Sequence, residues 1–95
     1  MRIDSVICPA HIEEKLQVKH RVTISEAEQV LLGKPRIRFL EKGRTKGDDV
    51  YSALGRTEAG RYLAVFYIYK PNSRTALIIS ARDMSKKERK TYGRK

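Results

Sequence analysis

Tyr62-Leu63-Ala64-Val65-Phe66-Tyr67-Ile68-Tyr69 is the stretch on which the fold turns. It carries no charge and is rich in aromatic and β-branched side chains on both alternating faces, the pattern of a central strand covered from two sides. Pro71-Asn72-Ser73 marks a turn after it. Ala76 to Ala81 then reads as another strand, and simple alternation puts Leu77 and Ile79 on one face, Ile78 and Ser80 on the other. Upstream, Val50, Ser52 and Leu54 alternate with Tyr51 and Ala53, and Arg36 to Leu40 has the same period of two. Gly43 and Gly47 supply the turn between those two strands. Short connections throughout predict an antiparallel sheet of about four strands.

The first third of the chain reads differently. Residues 2–7 alternate Ile3, Ser5 and Ile7 with Asp4 and Val6 and form a short strand. Pro9 suits the first turn of a helix, and Ile12 and Leu16, four apart, predict a short amphipathic helix over residues 9–19. Ser25 with Glu28 has the spacing of a capping box opening a second helix. Its apolar stripe is Ala27, Val30 and Leu31, and Gly33 and Pro35 end it. A short basic helix follows from about Ser85, where Ser85 and Glu88 again have capping-box spacing, and Met84 and Tyr92 pin it to the sheet. Helices segregated from a run of strands define an α+β fold rather than a parallel α/β one. The 95 residues form a single domain, 1–95, without repeats or linkers.

Hydrophobic residues make up 40% of the chain, enough for a core and against wholesale disorder. A domain this small is only marginally stable alone, and a partner subunit would help it. The single cysteine, Cys8, excludes an internal disulfide framework and a cysteine zinc cage, and it fits a reducing compartment as a small buried residue. No apolar run approaches the roughly 20 residues that span a bilayer, and Met1-Arg2-Ile3-Asp4 lacks the order of a signal peptide, so the expected location is the cytoplasm.

Lys and Arg number 21 against 11 Asp and Glu, a net charge of +10. Residues 33–47 hold Lys34, Arg36, Arg38, Lys42, Arg44 and Lys46 against Glu41 alone. Residues 82–95 hold seven basic side chains against Asp83 and Glu88, and the rest of the chain cancels. Two segments thus supply the whole excess. If they lie side by side they form one positive surface for a polyanion or an acidic protein; if apart, each is a solvated face that aids solubility.

Gly60 to Phe66, then Ile78-Ile79-Ser80-Ala81-Arg82-Asp83-Met84-Ser85-Lys86-Lys87-Glu88-Arg89 ending at Tyr92, resembles the C-terminal half of BrnT-type toxins. Lys19-His20, then Val22 and Ser25-Glu26-Ala27-Glu28, resembles the two-helix segment of the same family, so the similarity spans nearly the whole chain. The resemblance implies a RelE-like α+β fold, within the RelE/ParE-like superfamily, and a ribonuclease toxin of a type II toxin–antitoxin pair, neutralised by a small cognate antitoxin. The family often has a Trp-Asp pair near its start; Cys8-Pro9 stands there in this chain.

RNA cleavage without a metal needs a base for the 2′-hydroxyl, an acid for the leaving 5′-oxygen, and cations for the charge on phosphorus. The chain is rich in cations and poor in proton carriers. Arg82, closing an apolar strand ahead of the last helix, is the first candidate, a guanidinium able to grip a phosphate with two hydrogen bonds. Arg61 opens the central strand, shares a face with Leu63, Val65 and Tyr67 by parity, and is a second. Lys19 and His20 end the first helix; histidine has the unperturbed pKa, ~6.5, suited to proton transfer near neutrality, while the helix dipole alone also favours cations there. Glu88 is either a carboxylate base or only a cap. His11, in a first turn, is expected to be a surface residue. Lys34, Arg36, Arg38, Lys86 and Arg89 are candidate RNA contacts, and Tyr51 a candidate for stacking on an unpaired base. No metal-ligand spacing and no phosphate-cradling glycine loop is present, so no cofactor is expected.

The expected partners are RNA, including mRNA on the ribosome, and an antitoxin docking an acidic segment or adding a strand to a sheet edge. A homodimer and a heterotetramer built through the antitoxin both stay open. So does a second class, a basic module that binds antitoxin or nucleic acid without catalysis. A third, a ribosome-associated or DNA-binding protein, fits the charge but has no recognition-helix motif.

Overall fold

The apolar stretch becomes the central strand of a five-stranded sheet. The computed structural model describes residues 1–45 and 47–93; Lys46, Arg94 and Lys95, three of the cations counted above, lie outside the described residues. The elements run β1 (Ser5–Ile7), α1 (Ala10–His20), α2 (Ile24–Leu32), β2 (Arg36–Glu41), β3 (Val50–Arg56), β4 (Tyr62–Lys70), β5 (Thr75–Asp83) and α3 (Lys86–Gly93). The strand order is β1-β5-β4-β3-β2. β2 to β5 are antiparallel, as expected, and β1 joins the edge of β5 in parallel, with Ser5 opposite Thr75 and Ile7 opposite Leu77. The α+β class holds, with the N-terminal strand built into the sheet. Three residues carry too little pattern to announce a pairing partner 70 positions away.

Strand register sorts side chains onto two faces. One face carries the cross-strand rows Gly55–Leu63–Asp83, Ile37–Ala53–Val65–Ala81 and Phe39–Tyr51–Tyr67–Ile78. There Leu16, Val22, Ala27, Val30 and Leu31 of the α1–α2 segment meet Leu63, Val65, Tyr67, Ile78 and their neighbours in the main core. Each Val, Leu or Ile side chain among them, fully buried, contributes ~1.5–3 kcal/mol, so this face holds the fold. The other face carries Arg38–Ser52–Phe66–Ser80, Arg36–Leu54–Ala64–Arg82 and Arg56–Tyr62. Its buried hydrophobic cluster among the described residues is small: Leu54, Ala64 and Met84 beneath α3, with Tyr62, Phe66 and Tyr92 around them.

Two local readings change. The β4–β5 register shifts between Phe66 and Tyr67, which pair with Ser80 and Ile78 and leave Ile79 as an extra residue. A bulge of this kind resets the alternation. Ile78 is therefore fully buried on the helix side with Ala81, and Ser80 falls on the opposite face from it. The second correction is the α2 cap. The box is Thr23–Glu26, not Ser25–Glu28: Glu26 N–H donates to Thr23 Oγ1 at 3.1 Å, and Thr23 N–H to Glu26 Oε1 at 3.0 Å. Starting the helix at Ile24 still points Ala27, Val30 and Leu31 inward, and it turns Glu26 toward Arg61. α2 also sits directly on β3: a Cβ at Gly55 would lie 2.7 Å from Val30 Cγ1. Among the described residues no helix is long and apolar enough to cross a membrane.

Candidate active site

The face away from α1 and α2 holds a cleft of about 270 Å³ between the sheet and α3. Ser52, Leu54 and Phe66 form its floor, Arg38 and Leu40 of β2 one wall, and Ser85, Lys87, Glu88 and Thr91 the other. Its size is below the ~300–1,000 Å³ of enclosed small-molecule pockets and suits part of a longer chain lying across the sheet. The two basic segments meet here. Arg38 faces Lys87 across the cleft, and Arg36 Nη1 donates to the Thr91 carbonyl at 2.5 Å, tying β2 to the last turn of α3.

Arg82 stands beside this cleft, in the row next to the one that holds Phe66. Its Nη1 and Nη2 donate to Glu88 Oε1 and Oε2 at 2.6 and 3.0 Å, and Nη1 also reaches the Asp83 carbonyl at 3.1 Å. The guanidinium lies 5.1 Å from the Phe66 ring centre. Glu88 has two tasks at once. Its Oε1 accepts the Ser85 N–H at 2.8 Å while its own N–H donates to Ser85 Oγ at 3.1 Å, so the expected capping box is formed. Arg82 and the Ser85 N–H hold the Glu88 carboxyl below the usual glutamate range against the opposing effect of burial, and Glu88 in turn raises Arg82. The pair is a carboxylate and a guanidinium at neutral pH. Arg82 Nε–H has no acceptor among the described residues.

Arg61 lies on the other side of the sheet, where parity placed it. All five of its N–H donors are engaged. Nε donates to Asp83 Oδ1 at 2.8 Å and Nη2 to Asp83 Oδ2 at 3.2 Å; Nη1 reaches Glu26 Oε2 at 3.2 Å. The carbonyls of Arg21 and His20 accept from Nη1 and Nη2 at 2.7 and 2.9 Å. Those carbonyls are left over where α1 ends, because Arg21 turns into the left-handed region at φ 52° and such helix-end groups need partners. Arg61 lowers the Asp83 carboxyl; at Glu26 burial pushes upward, and Thr23 N–H with Arg61 more than offset it. This arrangement accounts for Arg61 without a phosphate. Lys19 and His20 lie on this same side, at the end of α1.

The sheet thus divides the candidates. Arg82, Glu88, Arg36 and Arg38 are brought together around the cleft. Arg61, Lys19 and His20 gather at the helix side of the same sheet end. Tyr51 is on the helix face as well, stacked on Tyr67 at 5.9 Å and edge-on to Phe39 at 5.7 Å. Lys34 is exposed ahead of β2, Lys86 is exposed at the start of α3, and Arg89 covers the Tyr62 ring at 4.2 Å. The sequence reading did not single out Phe66, Ser52 or Thr91 for the site. Alternation within β4 separates Phe66 and Ala64 from Leu63 and Val65 and was the available signal for the first. The described residues contain no group of three or more His, Cys, Asp and Glu arranged to hold a metal ion.

Fold and cleft together define a small basic α+β protein whose sheet is sealed by two helices on one face and carries a cationic cleft on the other. A family model described as "Ribonuclease toxin, BrnT, of type II toxin-antitoxin system" matches residues 11–88, and the chain belongs to that family. Among solved structures it is similar to the Brucella abortus ribonuclease toxin BrnT, with a TM-score of 0.62 at 20% sequence identity, over 86% of this chain and 97% of that one. No curated protein matches it significantly by sequence. Membership of a type II toxin–antitoxin family implies an RNA substrate and an antitoxin partner.

Proposed function

We propose that the chain cleaves single-stranded RNA in the α3 cleft without a metal ion, in the cytoplasm, and that an antitoxin neutralises it by laying an acidic segment over the cleft. We also place the fold in the RelE/ParE-like superfamily, on the order of two helices, an antiparallel run and a basic sheet face. The observation that carries the reading is the Arg82–Glu88 pair at the edge of a cleft flanked by Arg38 and Lys87.

RNA supplies its own nucleophile, the 2′-hydroxyl. In this reading Glu88 accepts its proton as the 2′-oxygen bonds to phosphorus. The bond to the 5′-oxygen breaks, and that oxygen takes a proton from the Lys87 ammonium. The products are a 2′,3′-cyclic phosphate and a 5′-hydroxyl. A carboxylate held below its ordinary range is a weak base, so charge stabilisation by Arg82, Arg38 and Lys87 carries the larger share of the acceleration.

The test is cleavage of a single-stranded oligoribonucleotide by the purified chain, with and without chelator. Cyclic-phosphate ends, indifference to chelator and a loss of about 10²–10³ on Arg82→Ala are expected; an Arg82→Ala protein that cleaves like wild type removes the proposal. The mutual engagement of Arg82 and Glu88 favours one other reading, a non-catalytic binding module. Salt-sensitive RNA binding with no cleavage would select it.

A further inference from the structure

On the far flank of α3 from the cleft, Tyr62 is overlain by two guanidinium groups. Arg89 lies 4.2 Å and Arg56 5.5 Å from the ring centre, and Tyr92 meets the ring edge-on at 6.0 Å. Among the described residues neither arginine has a carboxylate partner. Two like charges thus meet at one ring with no carboxylate beside them among the described residues, an arrangement that favours an anion, and Tyr92 helps to fix the plane of that ring.

Register places this group relative to the site. Cross-strand rows on this face succeed one another as Arg38–Ser52–Phe66, then Leu54–Ala64–Arg82, then Arg56–Tyr62. α3 lies over the middle row. Lys87 and Thr91 face the cleft, while Arg89, two residues from Lys87, projects to the opposite flank. Arg82 emerges at the N-terminal end of α3, between the two basic flanks.

We propose that Arg56, Tyr62 and Arg89 form a second nucleotide subsite. It takes the phosphate, and beside it the base, of a residue flanking the scissile position on an RNA strand that bends round the N-terminal end of α3 past Arg82. The proposal rests on the ribonuclease reading and extends its site. Guanidinium groups on a phosphodiester, and an unpaired base stacked on a guanidinium plane that an aromatic ring backs, are the chemistry of single-strand binding.

The experiment is binding of two uncleavable 2′-O-methyl oligoribonucleotides, of three and of eight nucleotides, across a salt series. Arg56→Gln, on an exposed side chain, and Arg89→Lys, which keeps a cation and stem over the ring, guard against loss of α3; Arg89→Ala is followed with its thermal melt. For the eight-mer, Arg56→Gln and Arg89→Ala should each weaken binding, and together lower the slope of log K against log salt by about 0.7, the value for one single-strand phosphate contact, and leave the trimer unaffected. Arg38→Ala should weaken both oligonucleotides. A folded Arg56→Gln/Arg89→Ala protein with the wild-type affinity and slope for the eight-mer overturns the subsite and leaves the ribonuclease reading standing. If wild type binds neither oligonucleotide and cleaves no RNA, that reading falls and the subsite with it.

Discussion

Replacing Arg61 by alanine distinguishes a clamp from a phosphate ligand. Its guanidinium joins the end of α1, the first turn of α2 and the end of β5. The side chain is 27% exposed and so is Glu26 at 25%, but Asp83 is 65% exposed, so the Asp83 pair is discounted heavily for solvent screening. Taking ~0–1 kcal/mol for the Glu26 pair, almost nothing for the exposed Asp83 pair and ~0.5–1.5 kcal/mol for each of the two carbonyl contacts gives a loss of about 1–4 kcal/mol. A domain of this size has ~5–15 kcal/mol of stability in all, so the variant still folds at room temperature. Its melting point should drop by about 5–30 °C, at ~4–8 °C per kcal/mol. Arg61→Lys keeps the charge but not the fork, and should recover only a small part of this. The assay pairs thermal and denaturant unfolding followed by circular dichroism with RNA binding well below the melting point. The clamp reading predicts wild-type salt dependence of binding. A variant that melts within a degree or two of wild type, yet loses about 0.7 from the salt slope, would refute it and return Arg61 to the RNA.

The pH dependence of stability has a defined sign. Glu26, Asp83 and Glu88 all titrate lower in the folded chain than their ordinary values of 4.5, 3.8 and 4.5, so each holds its proton more weakly folded than unfolded, and the stabilisation is complete above pH 4.5 and lost as the pH falls through the lower folded values. Denaturant midpoints at pH 7, 5, 4 and 3 should fall only below about 4.5, and less steeply in Arg61→Ala/Arg82→Ala; equal midpoints at pH 7 and 3 would contradict the pairing. Thr23→Ala should cost ~1 kcal/mol as a lost helix cap and Ser25→Ala almost nothing, in the same unfolding assay. The reverse order would restore the box at Ser25–Glu28.

Much of this was legible residue by residue. Uniform apolarity over Tyr62–Tyr69 identified the central strand because a strand buried on both faces has no position for a charge. Ser85 and Glu88 identified their own cap because the contact is local. Parity even set Arg61 on the face of Leu63 and Val65, and a cation on a covered face needs carboxylates; the ones it found, Glu26 and Asp83, lie 35 and 22 positions away. Where two local motifs overlapped, at Thr23–Glu26 and Ser25–Glu28, spacing alone did not choose, and the long-range bond from Glu26 to Arg61 did. The bulge at Ile79 was equally hidden, since alternation carries no mark of an inserted residue until a neighbouring strand fixes the register.

By itself the sequence determined the class of fold, the strands and helices, most of the core, and the confinement of the charge excess to two runs. These follow from periodicity and composition, which act over a few residues. Only the tertiary structure decided that β1 pairs with β5, that Arg36 and Arg38 meet α3 around one cleft, and that Arg82 and Arg61 end on opposite faces with different carboxylates. Those outcomes depend on which strands become neighbours and in what register, and chain packing settles that across tens of residues.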